Sequence, residues 1–221
     1  MDLILVILII LIPLFAQLGI SLNYNIYKQR VNSNSLTGND IARIILDKNG
    51  LNDIAIERVS GNLTDHYDPS AKVVRLSSDI YDGTSIASTA IAAHECGHAI
   101  QDKEEYKFMQ IRAAIFPIVN IATSLSYWII LFGFIFEIIG LVYIGIIFTC
   151  LGLLFQIITL PVEFNASARA EKQLIKYNLI TYEEEHGIKK VLGSAAMTYI
   201  AGVIASSVQI LRLILIANER N

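Results

Sequence analysis

Residues 84–101 read TSIASTAIAAHECGHAIQ. Ala87, Ala90, Ala92, Ala93 and Ala99 are strong helix formers, no proline intervenes, and Thr84 or Ser85 can cap the start. On a helix, His94 and His98 project from one face about one turn apart, with Glu95 roughly 100° round from His94. Two imidazoles at that spacing can hold one zinc ion, and the adjoining carboxylate is placed to take a proton from water activated there. The stretch predicts a metal-binding helix, with His94 and His98 as ligands and Glu95 as the catalytic general base. The alternative is an ordinary helix carrying two chance histidines. With only four histidines in 221 residues, composition weighs against that coincidence.

The rest of the composition points to a membrane. Apolar residues make up 54% of the chain and charged residues 17%, and mean hydropathy is +0.53. Both are unusual for a soluble domain. The net charge of −3 offers no basic surface, which argues against nucleic acid as a partner. Two cysteines make no disulfide framework; Cys96 and Cys150 are expected as small buried apolar residues.

Four uncharged runs are long enough to span a bilayer: residues 3–22, 114–136, 138–160 and 191–211. The first has no basic segment before it and no A-x-A site after it, so it reads as a retained helix rather than a cleaved signal. Only Glu137 separates the two middle runs, which predicts a tight helical hairpin. The last run is rich in Gly, Ala, Ser and Thr, as close helix packing in lipid requires. Between the first run and the hairpin, TGNDIARIILDKNGL predicts a short helix capped by Thr37 or Asn39 and closed near Gly50. Residues 54–59 and 71–76 predict two short strands around a turn-rich LTDHYDPS, and an edge strand at 71–76 could pair with an extended peptide.

The expected fold is therefore a mainly α membrane protein of about four transmembrane helices, with a small α+β, zincin-like catalytic unit carrying H-E-x-x-H on a helix. Its segments run as a transmembrane helix (1–22), the α+β unit (23–113), the hairpin (114–160), a Glu-bearing helix (161–190) and a C-terminal transmembrane helix with its tail (191–221). Pro161 suits the first turn of the Glu-bearing helix, and TYEEEHGIKK reads as a charged, solvated segment whose acids could cap the next helix.

A catalytic zinc needs three protein ligands and an open position for water. His66, His186 and several carboxylates are available for the third place. The hairpin selects among them. If residues 114–160 cross the membrane twice, residues 161–190 return to the surface that carries HECGH, and Glu163 emerges there first. Ser167, four residues on along the same face, can hydrogen-bond a ligand from outside the coordination sphere.

The segments NLTDHYDP, VVRLSSDIYDGTSIASTAIAAHECGHAIQDKE and LPVEFNASARA resemble the YugP-type neutral zinc metallopeptidases of bacterial membranes. The resemblance runs from the first membrane helix to the last. That family is in turn similar to the HtpX and CAAX-processing peptidases, where H-E-x-x-H is followed, after membrane spans, by a helix with E-x-x-x-D. The resemblance implies a zinc-dependent endopeptidase with Glu163 as third ligand. Ser167 stands where those peptidases have Asp.

Together these features predict a membrane-embedded zinc metalloendopeptidase whose partners are a protein or peptide substrate and the lipid bilayer. No feature specifies an oligomeric state. The rival from another class is a non-catalytic membrane scaffold with a structural zinc site; a transporter is disfavoured by the scarcity of ionisable residues inside the spans. Of 17 Lys and Arg, ten lie between residues 28 and 112 and five between 169 and 190. Arg212 and Arg220 alone fall on the far side of a four-span topology, so the multi-pass chain is expected in the cell membrane with its site facing the cytoplasm.

Overall fold

The structure is a computed structural model and describes residues 2–219. Arg220, one of the two cations assigned to the far side of the membrane, lies outside the described residues. Among the described residues, seven helices and three strands succeed one another in the order α1 (Asp2–Lys28), α2 (Gly38–Lys48), β1 (Ala55–Val59), β2 (His66–Asp68), β3 (Val73–Ser77), α3 (Ser78–Tyr81), α4 (Ile86–Lys103), α5 (Lys107–Ile135), α6 (Ile139–Lys176) and α7 (Tyr182–Glu219). Helices α1, α5, α6 and α7 are each long and apolar enough to cross a membrane. The chain forms two compact units. One takes the chain up to Gln17, Lys107–Pro161 and everything from Met197 on; the other takes Leu18–Tyr106 and Val162–Ala196.

The first unit is helical and apolar. Helices α5 and α6 form a hairpin whose connection includes Glu137 at φ +57°. They pack closely because α6 presents small residues to α5. A Cβ added to Gly145 would lie 2.3 Å from Cγ1 of Ile130. In lipid, where no hydrophobic force separates helix from solvent, such close approach is what brings dispersion contacts into play. Val142, Ile146, Ile210, Leu213 and Ala217 make the unit's core. Asp2 and Arg212 pair at 2.6 Å. Trp128, Phe132 and Phe136 are exposed in a ring stack along α5 and its end, as groups facing lipid would be. Cys150 is exposed, contrary to its expected burial. Its position lies on the outward side of α6, where a membrane helix needs no polar residue.

Caps and a small sheet organise the second unit. Helix α2 opens on a capping box: Thr37 Oγ1 accepts from Asp40 N and Asp40 Oδ2 accepts from Thr37 N. Gly50 comes after its end at φ +67°, the left-handed region in which glycine carries no steric penalty. Ser85 caps α4 by accepting from Ser88 N. Thr181 and Glu184 reciprocate at the start of α7, and the same Glu184 carboxylate accepts from Ser33 N and Oγ. Of the acidic run at 183–185, Glu184 thus caps the helix, as its acids were expected to, while Glu183 is exposed.

The sheet has the order β1-β3-β2, with β1 parallel and β2 antiparallel to β3. It corrects two expectations. The turn-rich segment holds a third strand, β2, because Asp68 accepts from Ser70 N and Ala71 N and folds the chain straight back into β3. And β3, which contains most of residues 71–76, is central; both of its edges are already paired, so it cannot take a peptide. The available edges are β1 and β2. Residues Val73, Val74 and Leu76 are buried, and α2, α3 and α4 cover the sheet.

A third correction concerns Pro161. It lies inside α6, not in the first turn of a separate helix. The proline ring's own φ is helical, so the helix continues through it at the loss of one backbone hydrogen bond. The second hairpin arm and the Glu163-bearing segment are consequently one helix.

Candidate metal centre

Helix α4 is the centre of the second unit: fourteen of its eighteen residues are buried. Its alanines make this possible, since small side chains let neighbours approach from several directions. One of those neighbours is the last part of α6. At Gly97, an added Cβ would fall 2.4 Å from the carbonyl oxygen of Ala166, so the α4 backbone lies directly on that of α6. Gly97 sits between His94 and His98, and Ala166 between Glu163 and Ser167. This crossing therefore sets the two sequence-distant halves of the site against each other.

His94 Nε2 lies 3.4 Å and His98 Nε2 3.7 Å from Oε2 of Glu163. The two imidazoles meet edge to face, with centroids 4.8 Å apart. One donor atom from each of the three residues lies within 4.8 Å of the others. Donors at about 2.0–2.2 Å from a tetrahedral zinc stand about 3.3–3.6 Å apart, so the spacing of the carboxylate to both imidazoles suits that ion with little adjustment. The donor chemistry, two neutral nitrogens and one carboxylate, is also that of open zinc sites. Glu163 and His98 are buried, which keeps water from competing for the donors.

The residues around the cluster hold it from outside. Ser167 Oγ is 3.1 Å from His94 Nδ1. His98 Nδ1 is 3.0 Å from Gln101 Oε1. Gln101, fully buried, in turn donates to the Val162 carbonyl at 2.8 Å and to Asn165 Oδ1 at 3.0 Å. Neither Gln101 nor Asn165 is singled out by sequence reasoning. A signal exists for Gln101, three residues beyond His98 on the same helix face; for Asn165 it exists only through the α4–α6 contact.

Glu95 is buried next to His94. Burial alone would push the His98 imidazole toward neutrality; the facing carboxylates of Glu163 and Glu95 outweigh it and hold His98 above its ordinary pKa. Such a surplus of negative charge favours a cation. Asp65, accepting from Ser77 N and Oγ, is pushed up by burial, with Glu95 adding to the effect. Cys96 is buried with its thiol directed at the Ala42 carbonyl, and burial raises it far above the range in which it ionises. It belongs to the α2–α4 packing.

The other two histidines lie elsewhere. His66 is exposed in β2, with Nδ1 2.8 Å from the Thr64 carbonyl. His186 is exposed on α7. Arg169 pairs with Glu104 at 2.7 Å and donates to Asn165. None joins the cluster.

Residues 2–218 match a family described as "Putative neutral zinc metallopeptidase". The chain belongs to this family. It is also 43% identical over 202 residues, covering 91% of this chain and 90% of the relative, to a Bacillus subtilis (strain 168) protein named "Putative membrane protease YugP". No solved structure matches. Family membership implies zinc and a peptide substrate, and the match embraces both the H-E-x-x-H helix and the segment of α6 that brings Glu163 to it.

Proposed function

We propose that the protein is a membrane-embedded zinc metalloendopeptidase in which His94, His98 and Glu163 hold the ion and Glu95 is the general base. The observation that carries this reading is the convergence of His94 Nε2, His98 Nε2 and Glu163 Oε2 from two helices. Bound zinc supplies Lewis acidity at the reacting carbonyl and makes water more acidic.

The chain's own groups do the rest. Ser167 and Gln101 hold the outer nitrogens of the two imidazoles, and so turn both Nε2 atoms inward. The Glu95 carboxylate takes a proton from the attacking water as its oxygen bonds to the scissile carbon. It then returns that proton to the departing amine as the C–N bond breaks. Burial of Glu95 and His98 limits the bulk water that would otherwise screen these charges.

The reading of a scaffold with a structural zinc is less well supported. Structural sites are closed by four protein ligands, whereas three donors converge among the described residues. The concentration of Lys and Arg in residues 28–112 and 169–190 supports a site facing the cytoplasm of the cell. Purified protein, a mixed peptide substrate and a chelator test the proposal. Cleavage that is abolished by chelator, restored by zinc and absent from Glu95→Gln supports it. Equal cleavage by Glu95→Gln and the parent overturns it.

A further inference from the structure

The hydrogen-bond chain that ends on His98 has a direction. Side-chain amides are ordinarily ambiguous, since their oxygen and nitrogen are hard to tell apart and are assigned from their partners. Here both ends of the chain are unambiguous. Arg169 can only donate, and its Nε lies 2.7 Å from Asn165. The atom of Asn165 it meets must therefore be the oxygen. That oxygen can only accept from Gln101, at 3.0 Å, so the Gln101 atom facing it must be the NH2 group. The Val162 carbonyl, which can also only accept, meets the same Gln101 nitrogen at 2.8 Å. Two independent acceptors thus fix the amide, and the Gln101 atom left for His98 is the carbonyl oxygen.

An amide oxygen cannot donate. The contact at 3.0 Å between Gln101 Oε1 and His98 Nδ1 is consequently a bond donated by the imidazole, which places the ring proton on Nδ1. We infer that Gln101 is a positioning residue that holds neutral His98 as the Nδ1–H tautomer and so leaves the Nε2 lone pair facing Glu163. Asn165 and Arg169 fix which way round the Gln101 amide sits. The ion pair of Arg169 with Glu104 at 2.7 Å anchors the far end. The device differs from the arrangement at His94, whose outer partner, Ser167 Oγ, can donate or accept and therefore selects no tautomer by itself.

The inference rests on His98 being a metal ligand for its functional meaning, but the tautomer can be read without metal. The full-length chain, with ring-15N histidine, is purified in detergent, stripped with chelator and observed by NMR at alkaline pH. Only four histidines contribute, and His98→Gln assigns the signal. The expected result is a pyrrole-type Nδ1 and a pyridine-type Nε2 for His98. Gln101→Met, close in length but with only a weakly accepting thioether in place of the amide oxygen, should lose the Nδ1–H preference and bind zinc about 10–100-fold more weakly. Gln101→Glu, which restores an acceptor facing Nδ1, should regain the Nδ1–H form even though it cannot donate to Val162 and Asn165. A merely structural Gln101 would show the same tautomer in all three proteins. A parent His98 protonated on Nε2, or an unchanged tautomer in Gln101→Met, overturns the inference. If the parent shows the expected tautomer but takes up no zinc, the metal reading fails and the assignment of Gln101 as the tautomer's determinant stands.

Discussion

Gly97 of α4 lies so close to Ala166 of α6 that a Cβ would come within 2.4 Å of the Ala166 carbonyl oxygen. That contact is with backbone, which cannot rotate away as a side chain can. The residues on either side of it are His94 and His98 on one helix, Glu163 and Ser167 on the other. The separation of the donors therefore depends on the absence of a side chain at position 97.

Gly97→Ala is expected to destabilise the protein by about 1–3 kcal/mol, the usual range for overpacking a filled interior. It should also lower zinc content, because the helices must part for the methyl group. Thermal unfolding in detergent, together with metal analysis, checks both. A variant with parental melting temperature and full zinc would show that the crossing does not set the site.

Removing Glu163 separates the ligand role from mere packing. Glu163→Ala should lower zinc stoichiometry sharply, since two imidazoles alone make a poor site. Metal analysis after dialysis reads this directly. Unchanged zinc would require another carboxylate or histidine to reach the cluster.

Glu95→Gln keeps the size of the side chain and removes its ability to accept a proton. Zinc content should be unchanged, and the cleavage rate should fall by about 10²–10⁴, the typical contribution of general base catalysis. Measured rates at saturating peptide distinguish this from weaker substrate binding.

The capping box of α2 offers a test remote from the site. Thr37 accepts from Asp40 N and its own N–H is bound by Asp40. Thr37→Ala should cost about 1 kcal/mol and Thr37→Gly only a few tenths. Thermal unfolding of the two variants, with zinc content unchanged in both, gives the order.

Asp68 supplies a pH dependence. The backbone N–H of Ala71, then the Arg75 guanidinium, hold its carboxyl below the usual value. A carboxylate lowered on folding stabilises the fold above its unfolded pKa, and that contribution disappears as pH falls through the folded one. Asp68→Asn should thus melt below the parent at neutral pH and converge with it once the solution is acidified past the carboxylate range. A gap that persists at low pH would mean that packing, not charge, ties the β2–β3 turn.

Much of this was legible in the residues. The alanine-rich frame of HECGH, the four apolar runs, the Thr37 cap and the return of Glu163 after a hairpin each come from local chemistry or length. The misreadings share a cause. Strand β2 is three residues long, too short for alternation to show, and its existence depends on a turn made by one Asp68 side chain. Pro161 reads locally as a helix start, yet the helix on either side of it continues. The edge assignment of residues 71–76 failed because strand order is a property of pairing, which no single strand displays.

The sequence by itself determined the helix that carries HECGH, the four apolar spans and the candidates His94, Glu95, His98 and Glu163, because periodicity, spacing and hydropathy act over one turn or one span. Only the tertiary structure decided that Glu163 Oε2 stands 3.4 and 3.7 Å from the two Nε2 atoms, and that Gln101 and Asn165 complete the surroundings of His98. Those facts depend on where two backbones cross. That crossing is set by the bare Gly97 meeting Ala166, 69 positions away along the chain, and no local pattern encodes a distance between segments that far apart.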